Sequence, residues 1–175
     1  MTTTPPALKV ELSAPDISAY RHSNVGIDYV TRLDSGKPGP HVIVQALTHG
    51  NELSGAITLD YLFKQKFQPT RGVVSFIFAN VAAYAMWDPQ NPDGNRYVEE
   101  DFNRVWSDEV LNGPRDSVEL RRARELVAYI DTGVTGLPTS QNQLGFTLDG
   151  IPLGDMTYGN HNGLHISRAV SGDNV

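Results

Sequence analysis

Two groups of residues in this chain carry side chains that could do chemistry. The first is His49 and Glu52, three apart in the stretch VIVQALTHGNELSG that runs from Val42 to Gly55. An imidazole nitrogen and a carboxylate oxygen both bind zinc readily, and a catalytic zinc takes three protein ligands and keeps a position for water. A histidine and a glutamate on either side of a strand-to-helix turn can point at one ion, with Gly50 letting the backbone turn sharply between them. The same spacing also describes a polar surface turn whose glutamate is favoured at a helix N-terminus by the peptide dipoles. The second group lies in NRYVEEDFNRVW, Asn95 to Trp106, where Arg96 and Arg104 flank Asp101 and Asn103. Arginine grips a carboxylate with two parallel hydrogen bonds, so two arginines and an asparagine can hold an acidic substrate. The alternative is a solvated loop of compensating charges, since exposed ion pairs are ordinary.

The elements around these residues must deliver them to one place. GIDYVTRLDSG (26–36) reads as a strand running into a turn, and the Pro/Gly turn after it leads into a strand from about His41 to Ala46. The Val-Ile-Val run there suits a strand buried on both faces. Residues 52–67 place Leu53, Ile57, Leu59, Leu62 and Phe63 at helical spacing, and GVVSFIFANVAAY (72–84) is a second buried strand followed by Asn80. A further helix is predicted over 116–131, with Asp116 or Ser117 as N-cap, Glu119 in the first turn, and Val118, Leu120, Ala123, Leu126, Val127 and Ile130 as its apolar side. Strand, helix and strand in close succession imply a right-handed crossover and an α/β fold. In such sheets functional groups gather beyond the C-terminal ends of the strands, where His49 and Asn80 both fall.

Composition bounds the function. The chain has 175 residues, 39% of them hydrophobic, which suits one domain with its own core. A net charge of −6 without a basic block argues against nucleic acid. The absence of cysteine excludes a disulfide scaffold and a thiolate metal site. The N-terminus lacks the features of a signal peptide and no window is apolar enough to span a bilayer, so the expectation is a soluble cytoplasmic protein with no membrane partner. Residues 1–131 are expected to form the domain that carries the site. The stretch 132–175 holds 8 of the 16 glycines and four charged residues, and is expected to be an irregular or β-rich tail. Other reactive residues carry less. His22 and His41 read as structural or solvated, and Trp87, Tyr97 and Trp106 as core or rim packing. Ser54 and Ser117 have no His-Asp partners at a motif spacing, and GVTGLPTSQ lacks the Gly-Lys-Ser/Thr of a phosphate loop.

Taken together, the two constellations resemble the succinylglutamate desuccinylase/aspartoacylase family of zinc carboxypeptidase-like hydrolases, over about residues 25 to 131. The family's strand running into His-Gly-x-Glu stands here as His49-Gly50-Asn51-Glu52, and its Arg-(x)4-Asp-x-Asn-Arg as Arg96 with Asp101-Phe102-Asn103-Arg104. Asn80 falls where the family keeps an asparagine, with Val81 in place of the usual proline. The resemblance implies a three-layer mixed sheet flanked by helices, zinc as cofactor on His49 and Glu52, and cleavage of the amide or ester bond of a small N-acyl amino acid. It implies Arg96 as the catalytic residue that stabilises the oxyanion. Asn103 and Arg104 would bind substrate, and Asp101 would orient the groups around it.

The chain also departs from the family. The family's third zinc ligand, a histidine on a strand just after the helix, has no counterpart in AYIDTGVTGLPTSQ, and no histidine follows until His161. No glutamate follows Glu125 to serve as the family's general base. Three readings are open: the tail supplies a substitute ligand, with His161 and His165 as candidates; the chain is a truncated or rearranged member; or another chain completes the site. The alternative function is a catalytically impaired domain that binds a small carboxylate or a protein partner.

Overall fold

The structure, a computed structural model, describes residues 12–132 together with the strand residues 143–147 and 165–169. Strands β1 (Val30–Asp34) and β2 (His41–Ala46) precede helix α1 (Leu53–Lys64) and strand β3 (Val73–Phe78). Short helices α2 (Val81–Tyr84) and α3 (Asp108–Leu111) follow, then the longer α4 (Val118–Thr132) and strands β4 (Gln143–Thr147) and β5 (His165–Ala169). The strands form one mixed sheet in the order β1-β3-β2-β4-β5. β2 runs parallel to β3 and β4, while β1 and β5 are antiparallel edges.

The strand pattern follows from which faces are covered. β3 is buried along its whole length, and its residues alternate between two apolar clusters. Val74, Phe76 and Phe78 meet Leu53, Ala56 and Leu59 of α1, while Ile77 joins Ile43, Val30 and Leu120, Ala123 and Leu126 of α4. Each fully buried leucine or phenylalanine here contributes about 1.5–3 kcal/mol through the apolar surface it removes from water. β2 is less uniformly covered than its Val-Ile-Val run suggests, since Val42 and Val44 are only half-buried.

The two long helices end where local chemistry dictates. α1 stops at Lys64, short of the predicted 67, because Lys66 adopts φ 53° and turns the chain left-handed. For α4 the cap is Ser117, whose Oγ accepts the Leu120 N–H at 3.0 Å, while Asp116 pairs with Arg121 in solvent. Its buried face is Glu119, Leu120, Ala123, Leu126 and Tyr129, with Val118, Val127 and Ile130 half-buried. Beyond α4, β4 and β5 continue the same sheet. His161 lies outside the described residues. His165 opens β5 opposite Thr147, which itself pairs with Gln45 of β2. No helix among the described residues is long and apolar enough to cross a membrane.

Candidate functional site

The C-terminal ends of β2 and β3 create the site. After Ala46 the chain passes through Leu47, fully buried and held at φ 62°, a left-handed conformation costly for a leucine. Two backbone bonds hold that turn against the end of β3: Ala79 N–H to the Ala46 carbonyl at 2.8 Å, and Asn80 N–H to the Leu47 carbonyl at 2.7 Å. The turn delivers Thr48 and His49 to the sheet edge, both buried. Gly50 then runs between two other segments. Its N–H donates to the Arg96 carbonyl at 3.0 Å, and a Cβ there would lie 2.5 Å from the Asn95 carbonyl oxygen and 2.6 Å from that of Ala83. Its φ is not positive, so the glycine is required by crowding and not by the turn itself.

His49, only 1% exposed, is held between two carboxylates. Its Nδ1 lies 2.6 Å from Glu52 Oε1, and its Nε2 lies 3.0 Å from Asp101 Oδ1. The other Glu52 oxygen accepts the His49 backbone N–H at 2.9 Å, so the N-cap glutamate of α1 folds back onto the histidine and does not cap the helix. A neutral imidazole has one N–H and can serve only one of these carboxylates. The ring nitrogen without the proton keeps a lone pair that a metal cation can take. With a cation at Nδ1, the ring keeps its N–H at Nε2 for Asp101, the carboxylate–histidine–metal arrangement that fixes tautomer and ring orientation. The donor set thus fits zinc with two ligands, His49 and Glu52. Asp101 faces the opposite ring nitrogen and does not reach the same ion. Among the described residues no group of three or more His, Cys, Asp or Glu is arranged to hold a metal.

Asp101 ties the second constellation to the first. Besides meeting His49, its Oδ1 accepts the Asn103 N–H at 2.9 Å and so opens the 3-10 turn Phe102–Arg104. Its Oδ2 lies 3.6 Å from the Arg96 guanidinium. Burial pushes the Asp101 carboxyl up, but the His49 contact, the Asn103 N–H and the Arg96 charge hold it below the ordinary aspartate value. The structure therefore brings His49, Glu52, Asp101 and Arg96 together. Asn103 and Arg104 follow on the turn that Asp101 caps; the Asn103 Oδ1 is buried without a hydrogen-bond partner, and Arg104 is exposed. Phe102 anchors the turn from below, packed edge-on against Trp106 with ring centroids 4.9 Å apart.

One residue of this assembly has a part that its sequence position does not suggest. Glu119, read from sequence as a first-turn helix glutamate, is fully buried. Its Oε1 accepts the Val98 N–H at 2.7 Å and the Asn80 amide at 3.2 Å, and its Oε2 accepts the Glu99 and Glu100 N–H groups at 3.1 and 3.3 Å. Burial acts to raise this carboxyl, yet the four donors together hold it below the usual glutamate value. The loop answers in kind, since Glu99 accepts the Val118 N–H and Glu100 accepts the Ser117 hydroxyl. The signal that could have found Glu119 is its place on the apolar stripe of α4, four residues before Ala123 and seven before Leu126. Asn80 completes the junction by capping α2, its Oδ1 accepting the Ala83 N–H at 3.3 Å. Val81 stands at the first position of that helix, where a proline also fits.

The remaining residues singled out from sequence lie apart from this cluster. His22 is exposed, and His41 is buried with Nε2 2.8 Å from the Ser75 hydroxyl. Trp87 packs against the α1 cluster, and Tyr97 is exposed.

Comparison with known proteins gives one consistent answer. A sequence model described as the succinylglutamate desuccinylase/aspartoacylase catalytic domain matches residues 38–136, a span that contains both constellations. A protein of Parasynechococcus marenigrum (strain WH8102) named "Probable aspartoacylase" is 34% identical over 89 residues, covering 50% of this chain and 27% of that protein. The crystal structure of the succinylglutamate desuccinylase from Chromobacterium violaceum superposes with a TM-score of 0.55 at 19% identity, over 72% of this chain and 39% of that one. The enzyme of the same name from Vibrio cholerae gives a TM-score of 0.51 at 20% identity, over 75% of this chain and 37% of that one. At these identities the structures establish the shared fold. The chain spans between about a quarter and two-fifths of the length of these relatives.

Proposed function

The chain belongs to the succinylglutamate desuccinylase/aspartoacylase family, and from that premise we propose that it serves zinc-dependent hydrolysis of the amide, or ester, bond of a small N-acyl amino acid. The observation that carries this reading is the placement of His49 between Glu52 at Nδ1 and Asp101 at Nε2. The Nδ1 side offers the nitrogen and oxygen donors that zinc prefers, and the Asp101 contact at Nε2 orients the ring for them. His49 and Glu52 would hold the ion as two of its three protein ligands. Zinc so bound supplies a Lewis acid for a carbonyl oxygen and acidifies a water.

The chain's own residues do the rest. Asp101 accepts the Nε2–H, fixing the ring plane and making Nδ1 a better donor. Arg96, tethered through the same carboxylate, would bring its positive charge to a substrate carbonyl oxygen and stabilise the negative charge growing there. Asn103 and Arg104 bind the carboxylate of the amino-acid half, the guanidinium through paired hydrogen bonds and the side-chain amide through its N–H₂ group.

The test is metal analysis of the purified protein and of His49→Ala and Glu52→Ala, together with hydrolysis of a panel of N-acyl amino acids. Near-stoichiometric zinc is expected in the wild type and its loss in each variant. Stoichiometric zinc retained by both variants sinks the assignment. Zinc binding and ligand binding without hydrolysis would support the impaired, carboxylate-binding alternative.

A further inference from the structure

The His49–Asp101 contact joins segments 52 residues apart, yet Asp101 sits in a stretch without regular structure from Pro89 to Asp101. Something must fix that stretch against the sheet. Three consecutive backbone N–H groups immediately before Asp101 all point at one carboxylate, that of Glu119, and the fourth donor to it is Asn80 at the end of β3. Glu119 itself is anchored on α4, whose next turns carry the buried Leu120, Ala123 and Leu126. We propose that Glu119 is a positioning residue for the site: it sets the register of residues 98–100 on α4 and β3, and thereby aims the Asp101 carboxylate at His49 Nε2.

The geometry explains why a glutamate is needed. Three successive N–H groups and the Asn80 amide present four donors, and a carboxylate takes all of them because both its oxygens accept. Burial is complete, so water cannot replace the carboxylate, and the loop has no strand partner to supply carbonyls instead. The reciprocal bonds from Glu99 and Glu100 to the start of α4 close the junction from the other side. The hydrogen bonds of the Glu119 carboxylate go to the loop and to Asn80, so it acts on His49 through the loop that carries Asp101. This inference rests on the zinc-site reading for its functional consequence, but the positioning itself is readable without metal.

The experiment compares wild type, Glu119→Gln, Asp101→Asn and Leu126→Ala in the full chain, the last as a variant that loosens α4 while keeping the Glu119 carboxylate and its four donors. The first readout is the His49 imidazole Nε2–H and nitrogen resonances in metal-free protein labelled with nitrogen-15. In wild type the proton is hydrogen-bonded and slow to exchange. Glu119→Gln points an amide N–H₂ at backbone donors, so its His49 resonances should shift toward those of Asp101→Asn, while Leu126→Ala keeps the wild-type signals. The second readout is zinc titration, where Glu119→Gln should bind about 10-fold more weakly and Leu126→Ala should bind like wild type. Should Glu119→Gln not fold, Glu119→Asp carries the same test, since it keeps the charge but retracts it by one methylene. Wild-type His49 resonances in the Glu119 variant, with only a lower melting temperature, overturn the proposal. If the wild type binds no zinc, the metal reading fails on its own, and the imidazole comparison still decides whether Glu119 positions Asp101.

Discussion

Replacing Gly50 by alanine tests whether the site depends on three chain segments meeting at one point. The added methyl would sit 2.5 Å from the Asn95 carbonyl oxygen and 2.6 Å from that of Ala83, where ordinary contact begins at 3.4 Å. The neighbours are backbone atoms, one in helix α2 and one beside Arg96, so neither can swing aside as a side chain would. Relief needs a displacement of about 0.9 Å, and the Gly50 N–H bond to the Arg96 carbonyl lies across the gap that opens. Overpacking costs about 1–3 kcal/mol and the strained hydrogen bond about 1 more. For a chain of this size that lowers the melting temperature by roughly 5–15 °C. The larger effect falls on the site, because the same shift separates His49 from Arg96 and Asp101. Misplacement on the order of 1 Å costs about 100-fold in rate, and loss of a ligand's orienting partner about 10–100-fold in metal affinity. Thermal melting and zinc titration measure the two effects. Gly94→Ala is the control, since the three atoms nearest a Cβ at Gly94 all belong to the side chain of Asn91, which can move. If Gly50→Ala melts and binds zinc like Gly94→Ala, the three-segment argument is wrong.

Two further predictions follow from groups on either side of the sheet. Arg104→Ala should raise KM for an N-acyl amino acid with a free carboxylate by about 10-fold or more and leave a neutral analogue little changed; equal losses would refute the carboxylate-clamp role. His41 is kept below the ordinary histidine value by burial and by the Arg32 charge, against the pull of Asp34, so the unfolded chain takes up the proton first. Its contribution to stability is present in full above about pH 6.5 and is lost as pH falls from there toward the folded value. Melting temperatures between pH 7.5 and 5 should therefore fall in wild type and fall less in His41→Gln, and parallel profiles would show that this buried histidine does not control acid stability.

Much of the scaffold is legible in sequence because it depends on local patterns. The Val-Ile-Val run gives β2 its bounds, the spacing of Leu53, Leu59 and their neighbours gives α1, and the strand ends place His49 and Asn80 at one sheet edge. The motif spacing also selects the residues that the structure brings together, His49, Glu52, Arg96 and Asp101. What sequence does not show are the contacts that make a weak His-x-x-Glu pair into a site. Leu47 carries no glycine-like mark, yet it is left-handed where its carbonyl accepts the Asn80 N–H and the Ala46 carbonyl accepts the Ala79 N–H, bonds that exist only once β3 lies beside β2. Gly50 reads as a turn residue and is in fact a crossing point, a property of segments more than 30 residues further along the chain.

Glu119 makes the same point with charge. A glutamate in the first turn of a helix is the commonest of sequence features, and a helix dipole would be reason enough for it. Its burial is matched by the three loop N–H groups of residues 98–100, which all donate to its carboxylate. A carboxylate removed from water costs several kcal/mol unless fully hydrogen-bonded, and four donors at 2.7 to 3.3 Å meet that demand. The arrangement is therefore stable only as a whole. The loop that carries Asp101 is held by Glu119, Asp101 meets His49, and His49 with Glu52 forms the nitrogen and oxygen pair proposed to take zinc. Each step starts farther from the motif than the one it supports, which is why the spacing His-x-x-Glu identifies where chemistry is expected while the residues between Asn95 and Glu119 position it.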